Sequence, residues 1–206
     1  MTPEHIYGTK GKVTTQEREV RNGQPGCVLW LTGFSASGKS TIATELERQL
    51  FIRGSQVCML DAPDVLGPVF LGKPEVRAKT VANIVAIGEV AKLVASQGVI
   101  CITAFISPYR ADRELVRKIL PAGRFIEVFI NAPIEVCEAR DPKGLYAKAR
   151  SNEIKNFTGI SAPYEAPEHP ELELRTDVLS SEECVTRILE YLDGFQESWR
   201  AVPGKS

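Results

Sequence analysis

The sequence predicts an α/β fold in which a parallel sheet is covered by helices on both faces. Apolar, strand-like segments alternate along the chain with helical stretches, and connections of this length produce right-handed crossovers between parallel strands. Residues 99–105 are almost entirely apolar, which is typical of a strand in the middle of a parallel sheet. The 206 residues are enough for one domain with a substantial core.

The predicted elements follow one another in a regular order. Strands are predicted at 28–32, 56–60, 99–105, 125–131 and 171–175. Helices are predicted at 40–53, 76–96, 110–120, 134–140 and 181–195. Residues 1–25 are polar and predict a loosely ordered N-terminal arm with a short helix at 15–21, which places the domain at 26–200. Because ligands bind beyond the carboxyl ends of parallel strands, the site is expected in the loops after Thr32, Leu60, Phe105 and Asn131.

The loop after the first strand has the pattern Gly-x-x-x-x-Gly-Lys-Ser at residues 33–40. An apolar strand precedes it and a helix-forming run follows it, which is the context of a phosphate-binding loop (P-loop). Its backbone N–H groups and the helix N-terminus favour an anion, Lys39 can reach the β- and γ-phosphates, and the Ser40 hydroxyl can ligate Mg²⁺. The sequence thus predicts a P-loop NTPase fold that binds ATP and Mg²⁺. The predicted phosphate-binding residues are Gly33, Ser35, Ala36, Ser37, Gly38, Lys39, Ser40 and Thr41.

Composition and charge exclude several classes of function. The net charge of −1 argues against binding to nucleic acid, and the absence of an apolar run of about 18 residues argues against a membrane span. The N-terminus lacks the hydrophobic core of a signal peptide. The five cysteines are widely spaced without a Cys-x-x-Cys pair, which predicts reduced thiols in a cytoplasmic protein and no zinc site.

Three further residues are candidates for phosphoryl-transfer chemistry. Asp61 follows the second predicted strand, where it can orient or deprotonate an acceptor hydroxyl or hold a Mg²⁺-bound water, or can simply cap a turn. Arg140 and Lys143 follow a helix and can stabilise charge on the transferred phosphoryl group, or can belong to a solvated basic face. The polar, proline-containing stretch that begins there predicts a lid at about 141–165 rather than a plain surface loop.

Several blocks carry a resemblance to a known family. They are residues 30–41 (WLTGFSASGKST), 87–93 (IGEVAKL), 105–110 (FISPYR), 140–146 (RDPKGLY), 153–160 (EIKNFTGI) and 163–167 (PYEAP). The chain resembles adenylylsulfate (APS) kinases from about residue 18 to residue 192. The resemblance implies an enzyme of sulfate assimilation that transfers the γ-phosphate of ATP to the 3′-hydroxyl of adenosine 5′-phosphosulfate (APS), and a homodimer.

The same resemblance implies a set of acceptor-binding residues. Phe157 matches a phenylalanine that stacks on the acceptor's adenine in the family, although its polar surroundings alone leave stacking and core packing equally open. The positions carried over as binding the acceptor are Asp61, Asn83, Phe105, Ile106, Ser107, Lys143, Asn156 and Phe157, with Arg140 assigned to the nucleotide.

One segment, 62–86, departs from the family. Leu66 and Thr80 stand where the family has arginines that bind the phosphosulfate. Glu75 stands where the family has a second phenylalanine that stacks on the adenine, and Pro63 stands where it has an aspartate. Losing two charge-assisted contacts of about 1.5–3 kcal/mol each would weaken binding of a dianionic acceptor. Three functions follow: an APS kinase with an altered acceptor site, a kinase for a less anionic nucleotide-like hydroxyl, or a weakly active regulatory nucleotide-binding domain.

Overall fold

A computed structural model describes residues 11–61 and 77–202, without the side chains of residues 77–82. Five strands form one parallel sheet in the order β2-β3-β1-β4-β5, which confirms the predicted fold class. The strands are β1 (Cys27–Thr32), β2 (Val57–Asp61), β3 (Ile100–Ala104), β4 (Phe125–Asn131) and β5 (Leu172–Arg175). The substituted positions Pro63, Leu66, Glu75 and Thr80 lie outside the residues whose side chains are described.

Seven helices are described in the same ranges of the chain: one precedes β1, five lie between consecutive strands, and the longest follows β5. They are α1 (Thr15–Asn22), α2 (Lys39–Ile52), α3 (Arg77–Ala95), α4 (Arg110–Ile119), α5 (Ile134–Arg140), α6 (Leu145–Arg150) and α7 (Ser181–Arg200). For the six helices that the sequence predicts, the boundaries are within about two residues of these, except that α7 continues to Arg200 because Trp199 on its last turn is buried. Helix α6 is not among the predicted helices. No helix of the described ranges has the length and apolarity needed to span a bilayer.

Two apolar layers hold the sheet in place, one on each face. Alternate side chains of β1 point to opposite layers: Leu29 and Leu31 pack with α2 and α7, whereas Val28 and Trp30 pack with α3 and α4. Every residue of β1 and β3 is buried, as expected for central strands covered on both sides. This packing places the carboxyl ends of β1, β2 and β3 at one edge of the sheet.

Residues 11–25, the described part of the predicted N-terminal arm, are more ordered than expected, and residues 1–10 of that arm lie outside the described residues. Helix α1 begins with a capping box between Thr14 and Glu17. Beyond its end, the Gln24 side chain donates to the carbonyls of Gln56 and Gly98 and accepts from the Gln56 N–H. Buried Glu19 accepts hydrogen bonds from Arg124 and from the Trp199 indole. Polar residues therefore fasten 14–25 to the domain, which composition alone does not reveal.

The predicted lid also contains regular structure, because α6 lies within it. Asp141 accepts hydrogen bonds from the N–H groups of Leu145 and Tyr146, both at 2.8 Å, and so caps the start of this short helix. Tyr146 is fully buried. The first part of the segment 141–165 is therefore packed against the domain.

Candidate active site

A cleft of about 760 Å³ opens at the carboxyl edge of the sheet. The loop between β1 and α2 forms its floor, and the β2 end and the α5–α6 connection contribute to its walls. The predicted residues that line it are Ser35, Ala36, Ser37, Gly38, Lys39, Ser40, Thr41, Asp61, Ile106, Arg140 and Lys143. The structure thus brings together residues from four separate stretches of the sequence.

Two glycines allow the loop to take its shape. A Cβ on Gly33 would lie 2.3 Å from the Ile130 carbonyl oxygen and 2.9 Å from Ser37 Oγ, so no side chain fits there. Gly38 precedes α2 with φ of +105°, in a region that L side chains rarely adopt. Ala36 has φ of +58° in spite of its Cβ, which is a strained conformation. Strain of this kind is common where a loop is built to hold a ligand.

Lys39 lies within the loop and is 8% exposed. Its ammonium Nζ donates to the carbonyls of Gly33 at 3.0 Å and Phe34 at 2.6 Å. Burial lowers the pKa of Lys39 to about 8, whereas Cys137 and Asp61 act to raise it. An anion beside Nζ would offset the cost of burying this charge, so the loop is suited to phosphate oxygens.

Arg140 and Lys143 approach the loop from the α5–α6 connection. Arg140 Nη2 donates to the Thr176 carbonyl at 2.6 Å, and the Thr176 hydroxyl donates to the Ser37 carbonyl at 2.8 Å. Both cations are exposed and line the cleft, so they are free of the desolvation cost that Lys39 bears. Asp61 lines the same cleft at the end of β2.

Sequence reasoning missed one wall of the cleft, which follows β5. It consists of Thr176, Leu179, Ser180 and Ser181. These residues have no motif of their own. The signal that could have found them is topological, because β5 lies beside β4 and its carboxyl end must also reach the cleft.

The loop after β3 supplies Ile106 to the cleft but directs its neighbours into the core. Phe105 is 3% exposed and stacks on Trp30 with ring centroids 6.0 Å apart. The Ser107 hydroxyl accepts from the Trp30 indole and donates to Thr32 Oγ1, both at 3.0 Å. Ser107 is 2% exposed. In this arrangement both side chains support the loop rather than face the cleft.

The remaining acceptor-binding candidates are scattered. Phe157 lies edge-on to Tyr146 with centroids 5.0 Å apart, in an apolar cluster beside the P-loop. Asn156 is exposed with φ of +55°, and Asn83 is half-buried on α3. The described residues that line the cleft include none of these three.

A buried ionic group holds the loop after β3. Arg113 is 2% exposed; its Nε donates to Glu127 at 2.6 Å and its Nη1 donates to the Ser107 carbonyl at 2.7 Å. Its Nη2 donates to the Glu165 carbonyl at 2.7 Å. Arg113 therefore ties α4, β4, the Ser107 loop and the end of the predicted lid together. Ser107 has φ of +39°, and these bonds over-determine that conformation.

The donor set fits ATP and Mg²⁺. The cleft presents the Lys39 ammonium, the two cations of the α5–α6 connection and the N-terminus of α2, all of which favour phosphate. The Ser40 hydroxyl is an oxygen donor in the same cleft, and oxygen is what Mg²⁺ prefers.

A strained, glycine-containing loop at the end of a central parallel strand, with a buried lysine opening the next helix, defines a P-loop nucleotide-binding protein. More closely, the chain belongs to the adenylylsulfate kinase family. The family model described as "Adenylylsulphate kinase" matches residues 25–175, more than half of the chain.

Individual relatives agree. An adenylyl-sulfate kinase from Marinobacter nauticus is 50% identical over 181 residues, which are 88% of this chain and 91% of that protein. One from Staphylococcus haemolyticus is 52% identical over 184 residues, 88% of this chain and 91% of the relative. The solved structure of the Mycobacterium tuberculosis APS kinase CysC in complex with AMPPNP and APS matches with a TM-score of 0.76 and 36% identity. That match covers 82% of this chain and 99% of the other.

Proposed function

We propose that this protein transfers the γ-phosphate of ATP to the 3′-hydroxyl of APS, giving ADP and 3′-phosphoadenosine 5′-phosphosulfate (PAPS). The convergence of Lys39, Asp61, Arg140 and Lys143 on one cleft is the observation that carries the proposal. Membership of the adenylylsulfate kinase family supports the choice of acceptor.

Each cleft residue has a distinct part in the transfer. Lys39 and the loop N–H groups hold the β- and γ-phosphates, and Ser40 ligates Mg²⁺, which when bound neutralises phosphate charge. The 3′-oxygen bonds to the γ-phosphorus while the bond from that phosphorus to the β–γ bridging oxygen breaks. Asp61 accepts the proton of the 3′-hydroxyl. Arg140 and Lys143 stabilise the transferring group, and Ile106 contacts the acceptor within the cleft. Asn83 and Phe157, which lie outside the described lining of the cleft, hold the rest of the acceptor.

Replacing Asp61 by Asn tests the proton-accepting part. We expect PAPS formation to fall by about 10²–10⁴-fold, because a positioned general base contributes that much. Affinity for AMP-PNP should change less than about threefold, since the phosphates bind elsewhere in the cleft. Asp193→Asn is the matched control, because Asp193 is exposed on α7 and pairs with Arg53 outside the cleft. Equal losses of turnover and of AMP-PNP affinity would contradict the assignment.

A second candidate function rests on the replaced segment. Leu66, Glu75 and Thr80 favour an acceptor with less negative charge than APS. An ATP-consumption assay with APS and with less anionic nucleotide-like alcohols separates the two functions. Saturation by APS in the micromolar range rejects the second candidate. A higher kcat/KM for an uncharged acceptor rejects the first, and tight ATP binding with no turnover favours a regulatory domain.

The proposal includes a cytoplasmic homodimer. All five cysteines are free thiols, which fits a reducing compartment. Val90 and Leu93 are apolar and exposed on α3, which supports a partner on that helix. A relative from Thiobacillus denitrificans is described as hexameric, so light scattering after gel filtration should distinguish dimer, hexamer and monomer.

A further inference from the structure

Hydroxyl groups from outside the P-loop hold two of its carbonyl oxygens. Tyr146 OH, on α6, donates to the Ser35 carbonyl at 3.0 Å. Thr176 Oγ1, beyond β5, donates to the Ser37 carbonyl at 2.8 Å. We propose that Tyr146 and Thr176 are positioning residues for the triphosphate, because their hydroxyls fix the direction of the loop N–H groups.

Peptide geometry connects these carbonyls to the phosphate-binding donors. The C=O of one residue and the N–H of the next lie in one plane and point in opposite directions. The bond from Tyr146 to the Ser35 carbonyl therefore orients the Ala36 N–H, and the bond from Thr176 to the Ser37 carbonyl orients the Gly38 N–H. A peptide held in this way cannot rotate its carbonyl toward a phosphate oxygen, where the two would repel each other.

The loop has a reason to need external support. Ala36 and Gly38 adopt φ of +58° and +105°, so the peptides between them are not in the conformation that an unrestrained chain prefers. Within the loop, Ser37 N–H donates to the Phe34 carbonyl at 3.2 Å, and Lys39 holds the carbonyls of Gly33 and Phe34. The bonds to the Ser35 and Ser37 carbonyls come from other elements.

Tyr146 is itself rigidly placed. Its side chain is fully buried and lies edge-on to Phe157. The Asp141 carboxylate accepts its backbone N–H at 2.8 Å. Burial raises the pKa of the Tyr146 phenol well above its usual range, so the hydroxyl keeps its proton and remains a donor.

Thr176 links the loop to a cation of the cleft. Its N–H donates to the Asn131 carbonyl at 2.9 Å, which continues the β4–β5 ladder. Arg140 donates to its carbonyl at 2.6 Å and to its hydroxyl at 3.4 Å. The hydroxyl thus accepts from Arg140 and donates to the loop, so the arginine and the P-loop are positioned by the same side chain.

Removing each hydroxyl separately tests the inference, which rests on ATP binding as proposed above. Tyr146→Phe and Thr176→Val keep the packing volume and delete one donor each. We expect the Kd of AMP-PNP with Mg²⁺, measured by calorimetry, to rise about fivefold to tenfold in each variant. The Kd of adenosine, which has no phosphates, should change less than twofold. Thr176→Ser keeps the hydroxyl and should restore AMP-PNP affinity.

Two matched controls carry the same chemical change elsewhere. Tyr191→Phe and Thr186→Val alter residues of α7 outside the cleft, and both should bind AMP-PNP as the unchanged protein does. Melting temperatures of all variants should stay within a few degrees of each other.

The outcomes are distinguishable from those of the proposed function. Unchanged AMP-PNP affinity in both variants, or an equal loss for AMP-PNP and adenosine, overturns the positioning roles. The variants can lose affinity for AMP-PNP but not for adenosine while the unchanged protein fails to phosphorylate APS. That result rejects APS as the acceptor and supports the positioning roles. A protein that does not bind AMP-PNP overturns both.

Discussion

At the scale of single residues, the site depends on the buried ammonium group of Lys39. Lys39 is buried against two carbonyls, and burial lowers its pKa to about 8. Lys39 therefore loses its proton at a lower pH than an exposed lysine does, and a bound phosphate would raise its pKa again. This makes nucleotide affinity sensitive to pH in a range where most lysines are fully charged.

We expect the affinity for AMP-PNP to fall as the pH rises through about 8, the pKa of Lys39 in the free protein. A tight complex needs the protonated amine, so at pH 9 the Kd should be up to about tenfold higher than at pH 7. Calorimetry over this range measures it. In Lys39→Arg the affinity should be independent of pH, because a guanidinium stays charged. A flat profile in the unchanged protein would show that Lys39 keeps an ordinary pKa.

Gly33 gives a second prediction at this scale. In Gly33→Ala the new Cβ would lie 2.3 Å from the Ile130 carbonyl oxygen, so β4 or the loop must move. We expect the free energy of unfolding in urea to fall by about 3 kcal/mol or more. Gly194→Ala is the matched control, since nothing lies within 4 Å of its Cβ on α7. That change should raise stability by about 0.5–1 kcal/mol, because alanine favours a helix.

At the scale of elements, buried polar side chains set the positions of loops. Arg113 joins α4 to Glu127 of β4 and to the carbonyls of Ser107 and Glu165. Arg117 extends the group, with Nη1 2.6 Å from Glu171. Removing one partner of a buried ion pair costs more free energy of unfolding than the intact pair contributes, because the other charge stays buried without a partner. The effects of substituting these residues should therefore depend on each other.

We expect Arg113→Met to lower the free energy of unfolding by about 3–5 kcal/mol, because it leaves Glu127 buried without this partner. The double variant Arg113→Met with Glu127→Leu should recover at least half of that loss. Urea denaturation measures both. Arg53→Met breaks an exposed pair with Asp193 and should cost no more than about 1 kcal/mol. A double variant less stable than the single one would mean that the pair itself is strongly stabilising.

At the scale of the whole molecule, the sheet order determines which loops can meet. β1 lies between β3 and β4. Strands β2 and β3 lie on one side of it, and strands β4 and β5 lie on the other. The cleft opens beside β1, where the strand order changes direction, so a nucleotide bound there contacts both halves of the sheet. Binding should consequently stabilise the domain as a whole.

We expect Mg²⁺ and AMP-PNP at 100 times the Kd to add about 2.7 kcal/mol to stability. For a domain of 206 residues this corresponds to an increase in Tm of about 5–10 °C. Differential scanning fluorimetry measures the shift. In Lys39→Ala the same ligand concentration should give less than half of it. An equal shift in that variant would place the nucleotide away from the P-loop.

The fold was predictable to a large extent because periodic patterns act locally. The strand over Phe125–Asn131 and the helix over Ile134–Arg140 have the predicted bounds, since proline-containing turns mark their ends. The docking of α1 was not predictable. It depends on hydrogen bonds that join Gln24 and Glu19 to partners more than 30 residues away.

The site residues also divide into those whose place in the cleft could be predicted and those whose orientation depends on packing. The cleft contains the predicted P-loop residues from 35 to 41 with Asp61, Ile106, Arg140 and Lys143, whereas the side chains of Phe105 and Ser107 contact Trp30. A short motif does not say which of its side chains faces inward, because that depends on the strand that packs against it. The roles of Asn83, Asn156 and Phe157 in acceptor binding stay predictions.

The sequence by itself determined the α/β class, the P-loop and the family, because backbone conformation at Gly33 and Gly38 and the alternation of strands and helices are local properties. Only the tertiary structure decided that the hydroxyls of Tyr146 and Thr176 support the loop. Those contacts join residues more than 100 positions apart, and packing of the complete sheet brings them within hydrogen-bonding distance.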